Sequence, residues 1–177
     1  TPENGKIRVM VAKDGDLITD SILCDPKNED SNVVSDMDND ILKIVVMSRY
    51  DNGKPVVGFV KGFGFKNGAV AESIAHDSHN IIAIGTSDKE IVHAINTLID
   101  LKGGIVAVNN GESRFVKLEV AGLMSNKTGE ELIQAYSKLS EFTSKLGSDF
   151  KSPFMTLAFM SLLVIPKLKL SDKGLFD

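Results

Sequence analysis

Five consecutive polar residues, His76, Asp77, Ser78, His79 and Asn80, interrupt the otherwise apolar stretch IAHDSHNIIAIG from Ile74 to Gly85. Imidazoles change charge near neutral pH and can ligate metal, and an adjacent carboxylate can fix the tautomer of an imidazole. His76 and His79 are therefore candidates for proton transfer. Asp77, Ser78 and Asn80 are candidates for hydrogen bonding to a polar ligand. An HxxH pair on a loop lacks the third ligand that a stable metal site needs, and the remaining histidine, His93, falls in the middle of a helical pattern, so no metal ligand is assigned. A Ser-His-Asp triad does not follow from adjacency either, because its members are brought together in space. The same five residue types also suit a plainer purpose, capping backbone groups where two strands meet in a sharp turn.

Three other stretches carry weaker signals. GFVKGFGFKNG is rich in glycine, but a dinucleotide fingerprint requires a helix after the glycines, and a strand pattern follows here. Bends or bulges with close strand packing are the expectation. Asp36, Asp38 and Asp40 alternate like half of a calcium loop, without the glycine and terminal glutamate that complete one, and read as a solvated loop. Met124-Ser125 precedes a helix and suits either an anion at its N-terminus or an ordinary cap.

The elements that must position these residues are mostly short. KIRVMVA and LITDSIL flank the turn signal DGD as strands, and ILKIVVMSRY and VVGFVKGFGF flank DNGKP, where Asn52-Gly53 predicts a tight hairpin. GAVAESIA reads as a strand entering the polar loop and NIIAIG as a buried strand leaving it. Ser87 and Glu90 stand at capping-box spacing before a helix with Ile91, Ile95, Leu98 and Ile99 on one face and Gly103-Gly104 at its end. A second hairpin through NNGE precedes a second helix over 128–146, again with a capping-box pair, Thr128 and Glu131, and a stripe of Leu132, Tyr136, Leu139, Thr143 and Leu146. Ser152-Pro153 opens a short apolar helix expected to reach Pro166. The fold class is α/β, with mixed β-sheets packed against helices, and the two strand-helix units are alike enough in outline to suggest a relation between them.

At 177 residues the chain is long enough for one buried core, and 42% hydrophobic with 25% charged residues is close to the globular average. A net charge of -4 with scattered Lys and Arg excludes a nucleic-acid footprint. Cys24, the single cysteine, makes no internal disulfide and fits a reducing cytosol. The longest apolar run, Phe154 to Ile165, is short of the roughly 20 residues of a membrane span. The opening TPENGKIRVMVAK has no signal-peptide pattern and no initial methionine, which suggests a piece of a longer protein.

From about Asp40 to the end, AHDSHN, VAGLMS and IPKLKLSDKGL in this order resemble the C-terminal domain of the bacterial and archaeal adenine deaminases of the amidohydrolase superfamily. Residues 1–40 match loosely, and 41–177 are the expected domain. The resemblance implies a cytoplasmic hydrolase of purine salvage that converts adenine and water to hypoxanthine and ammonia with iron or manganese, bound in an N-terminal (β/α)8 barrel absent from this chain. It also implies a homo-oligomer. His76, Asp77, Ser78, His79 and Asn80 match the signature loop, which in this view helps close the barrel's adenine pocket. No primary catalytic residue is assigned, and this chain alone is expected to be inactive. The family pattern has an acidic residue after Ser125, where this chain has Asn126. A module that only packs or oligomerises, and a free-standing metal or purine binder, are the competing readings.

Overall fold

The computed structural model describes residues 5–177. Eight strands form one mixed sheet: β1 (Ile7–Val11), β2 (Asp20–Cys24), β5 (Ile41–Met47), β6 (Val56–Lys61), β7 (Ala69–Glu72), β8 (Ile81–Gly85), β9 (Gly104–Asn109) and β10 (Glu112–Lys117), in the order β10-β9-β7-β8-β5-β6-β1-β2. All pairings are antiparallel except β1 with β6. The ribbons β3 (Asn28–Glu29) with β4 (Asn32–Val33), and β11 (Lys169–Ser171) with β12 (Gly174–Phe176), stand apart from it.

Alternation along the strands gives the sheet two apolar faces. Val45, Ala69, Ala71, Ile81, Ala83, Val106 and Val108 meet Ile91, Ala94, Ile95 and Leu98 of α1 (Asp88–Leu101) on one. Ile44, Val46, Val70, Ile82, Ile84 and Ala107 lie on the other, beneath Leu139 of α2 (Gly129–Ser144) and Phe154 and Leu157 of α3 (Pro153–Phe159). The central strand β8 is therefore buried along its whole length, which accounts for its unbroken apolar run. No helix among the described residues is long and apolar enough to cross a membrane.

Local capping explains both long helices. Ser87 accepts from the Glu90 N–H at the start of α1, but Glu90 Oε1 accepts from the Asn110 N–H instead of closing the capping box. Thr128 and Glu131 form the complete reciprocal pair at α2. The stop of α1 is Lys102, in the left-handed region and donating to Ile99 and Leu98 carbonyls, one residue ahead of the expected glycines. Ile99 is exposed rather than on the buried face. α3 ends at Phe159, well before Pro166, and its cap residue Ser152 makes no side-chain capping bond.

The hairpin between β5 and β6 exists, but its connection runs from Ser48 to Pro55 and Asn52-Gly53 is not a two-residue turn with positive φ. Gly53 donates instead to Asp51 Oδ1 at 2.8 Å, a side-chain-made turn. The tight geometry belongs to the second hairpin, where Asn110 and Gly111, both at positive φ, join β9 to β10.

The glycine-rich stretch does hold an anion, and it is the protein's own. The N–H groups of Gly62 and Gly64 donate to the two oxygens of the Asp40 carboxylate at 2.9 and 2.7 Å. Asp40 is half-buried, so the expectation of a wholly solvated acidic loop is corrected at this position. Its φ of 54° is also one that Asp tolerates better than Ala. Asp40→Ala strands two backbone donors and is expected to cost roughly 2–3 kcal/mol, with Asp40→Asn costing less; chemical denaturation of the two variants checks the order.

Candidate functional site

The polar loop hangs at one end of the sheet, where β7 stops at Glu72 and β8 begins at Ile81. Its base is a junction of short backbone approaches. The Ser73 hydroxyl donates to the Gly122 carbonyl at 2.6 Å and accepts from the Gly104 N–H at 2.9 Å. A Cβ on Gly103 would stand 2.4 Å from the Gly122 Cα, so glycine is required for this contact. The Arg49 guanidinium lies against both glycines and donates to the Ala121 carbonyl at 2.9 Å. Met124-Ser125 closes this segment as an ordinary turn, with the Met124 N–H donating to Val120 and the Ser125 hydroxyl accepting from the Lys127 N–H.

The loop itself is shaped by backbone bonds. The His79 N–H donates to the Ala75 carbonyl at 2.8 Å, the His76 N–H donates to the Ala158 carbonyl in the last turn of α3 at 3.2 Å, and the Tyr50 hydroxyl donates to the Ser78 carbonyl at 3.0 Å. His79 turns the chain with a φ of 52°. Asn80 is buried and donates to Asp172 Oδ1 at 3.2 Å, which ties the loop to the turn between β11 and β12. His76 is half-buried, its ring 5.7 Å from that of Phe159 and 6.4 Å from that of His79, and its Nδ1 is buried without a partner.

All five residues are thus brought together, and their side chains are not what makes the turn. Asp77 and Ser78 are exposed, and neither makes a side-chain hydrogen bond among the described residues. The imidazoles are likewise free of hydrogen bonds there. A purely turn-capping role would have spent these groups on nearby backbone. His93 lies apart, half-buried in α1, with its carbonyl accepting from Thr97. Among the described residues no three His, Cys, Asp or Glu side chains converge to hold a metal ion, and these residues offer no fitted ligand set for the divalent metal that the resemblance implies.

Two residues near the loop escape a sequence reading. Ser73 is one. The other is Glu72, the last residue of β7, fully buried, with neither carboxylate oxygen hydrogen-bonded. It pairs across the sheet with Ile82 and Ile105, on the face covered by α2 and α3. Burial away from water penalises the charged form and pushes its pKa well above the usual 4.5. Its nearness also helps raise the Tyr136 phenol, after burial as the larger cause. The available clue was the two-residue alternation that puts Glu72 on the same face as Val70.

The chain belongs to the family of adenine deaminase C-terminal domains, whose model matches residues 16–177. Among individual relatives, an adenine deaminase of Methanosarcina acetivorans is 58% identical over 172 residues, covering 97% of this chain and 31% of the relative. Adenine deaminases of Parabacteroides distasonis (48% identical, 97% of this chain, 32% of the relative) and Methanothermobacter thermautotrophicus (43% identical, 99% and 32%) are similar over the same region. The chain therefore spans about a third of the length of the relatives it matches.

A carboxyl that keeps its proton on folding makes stability fall as pH rises above about 4.5, because the unfolded chain then releases a proton that the folded one retains. The loss grows until the raised folded pKa is passed, at roughly 1.4 kcal/mol for each unit of displacement. Glu72→Gln is expected to flatten this slope and to raise the melting temperature near pH 7; melting curves of both proteins between pH 4.5 and 8 provide the measurement.

Proposed function

We propose that this chain completes an adenine-deaminating hydrolase, with the loop His76 to Asn80 contributing to the pocket in which adenine is bound. The observation that carries this reading is the unspent chemistry of the loop: Asp77, Ser78 and both imidazoles keep their hydrogen-bonding capacity while backbone bonds hold the turn. Relatives of this chain are named adenine deaminase, and it corresponds to about the last third of a protein of that length.

Adenine presents ring nitrogens as acceptors and an exocyclic amine as donor. The carboxylate of Asp77 suits the amine, and the hydroxyl of Ser78 suits either kind of partner. An imidazole of His76 or His79 near the leaving nitrogen would move a proton as ammonia departs. His76 has its ring seated against Phe159 and its backbone N–H bonded to Ala158, so its direction is set before any ligand arrives. The divalent metal of such a reaction would be held by residues of the longer protein outside this chain.

In the full-length protein, changing His76 and His79 together to alanine is expected to slow ammonia release from adenine by about 100-fold or more, the usual scale for a positioned acid or base, with bound metal unchanged. An unaltered rate with a lower melting temperature would leave the loop a packing element and refute the reading.

A further inference from the structure

Beside the loop, with Ser73 and Gly103 of the junction in its wall, is an open cleft of about 400 Å³ also lined by Met47, Arg49, Tyr50, Ile81, Leu98 and Lys102. This size is within the range of small-molecule sites. Its floor is apolar and fixed, since Ile81 belongs to β8 and Leu98 to the buried face of α1. Its rim is cationic. Arg49 and Lys102 make no ion pair among the described residues, and no carboxylate is among the lining groups.

The guanidinium is held in place and only partly satisfied. It lies against Gly103 and Gly122 and gives one N–H to Ala121, while its Nε–H is buried without an acceptor. Its charge also lies 5.6 Å from the centre of the Tyr50 ring, which is itself 68% exposed. Planar guanidinium, exposed ammonium, exposed aromatic ring and apolar floor together match a flat ring system joined to a phosphate.

We propose that this cleft is a binding site for a nucleoside monophosphate, its phosphate on Arg49 and Lys102 and its base over the apolar floor against Tyr50. The site is separate from the loop pocket, although an occupant would touch the residue whose hydroxyl holds the Ser78 carbonyl. It stands independently of the catalytic reading, because binding rather than deamination reports on it.

The test is calorimetric titration of the full-length protein with adenosine monophosphate, adenosine and inorganic phosphate, repeated on Arg49→Gln and on Lys102→Asn. Lys102 is exposed with a φ of 63°, a conformation asparagine adopts readily, so the second variant keeps the fold even where the first does not. Binding of the monophosphate at least ten times tighter than of adenosine or phosphate, and weakened at least fivefold by Lys102→Asn, is the expected result. Binding that neither variant changes would place the ligand elsewhere, equal binding of inorganic phosphate would remove the base from the site, and no heat of binding at millimolar ligand would remove the site altogether. Each of these overturns the proposal.

Discussion

One hydroxyl organises the end of this domain that carries the polar loop. Ser73 follows directly on β7, and by accepting from Gly104 and donating to Gly122 it ties three separate segments of chain together where the sheet ends. A buried hydroxyl of this kind contributes modestly as a bond but is expensive to leave unpaired. Its removal would leave the Gly104 N–H and the Gly122 carbonyl without this partner, and only the bond from the Ser73 N–H to the Gly104 carbonyl at 3.1 Å would remain. The side chains of Asp77, Ser78 and the two histidines can stay without hydrogen bonds because the scaffold beneath them is already closed.

The same end of the molecule concentrates groups that folding alone would not select. Glu72 is a buried carboxyl with no hydrogen-bond partner in an apolar layer, His76 has a buried nitrogen with nothing to bond, and Arg49 has an N–H in the same condition. Each costs stability relative to an apolar or satisfied group. Elsewhere the pattern is mixed: Ser35 bridges the Gly85 carbonyl and the Lys43 N–H, and Lys169 reaches the Leu17 carbonyl at 2.6 Å while burial lowers its pKa to about 8, whereas Asn67, Glu90 and Asn109 each keep a buried oxygen without a partner. The loop end is set apart by holding a fully buried carboxyl, an imidazole nitrogen and a guanidinium nitrogen in that condition.

What was legible in the sequence was local. The helix starts at Ser87 and Thr128, the buried run of β8 and the polar loop itself depend on neighbours a few residues apart, and each was found where expected. The structure departs from the residue pattern where one particular side chain decides. Asn52-Gly53 has the residues of a tight turn, yet Asp51 supplies the bond that shapes it. The glycines after β6 resemble an anion cradle, and only the fold brings in Asp40 from before β5 to fill it. Glu72 and Ser73 were read as strand residues because their importance lies in what they face across the sheet and beyond it.

The two ends of the described chain are fastened to each other. Thr19 exchanges backbone bonds with Pro166 and Lys167 and gives its hydroxyl to Leu168, Lys169 reaches back to Leu17, and Arg8 pairs with Asp177. β1 and β2 pair with each other and with β6, but the connection 12–19 between them is not fastened until residues 166–169 reach it. During synthesis these bonds form only after nearly all of the described residues have emerged. A nascent chain paused short of Pro166 would carry a paired ribbon with its connection untied. The segment 166–169 is therefore a late clasp on strands that are already paired.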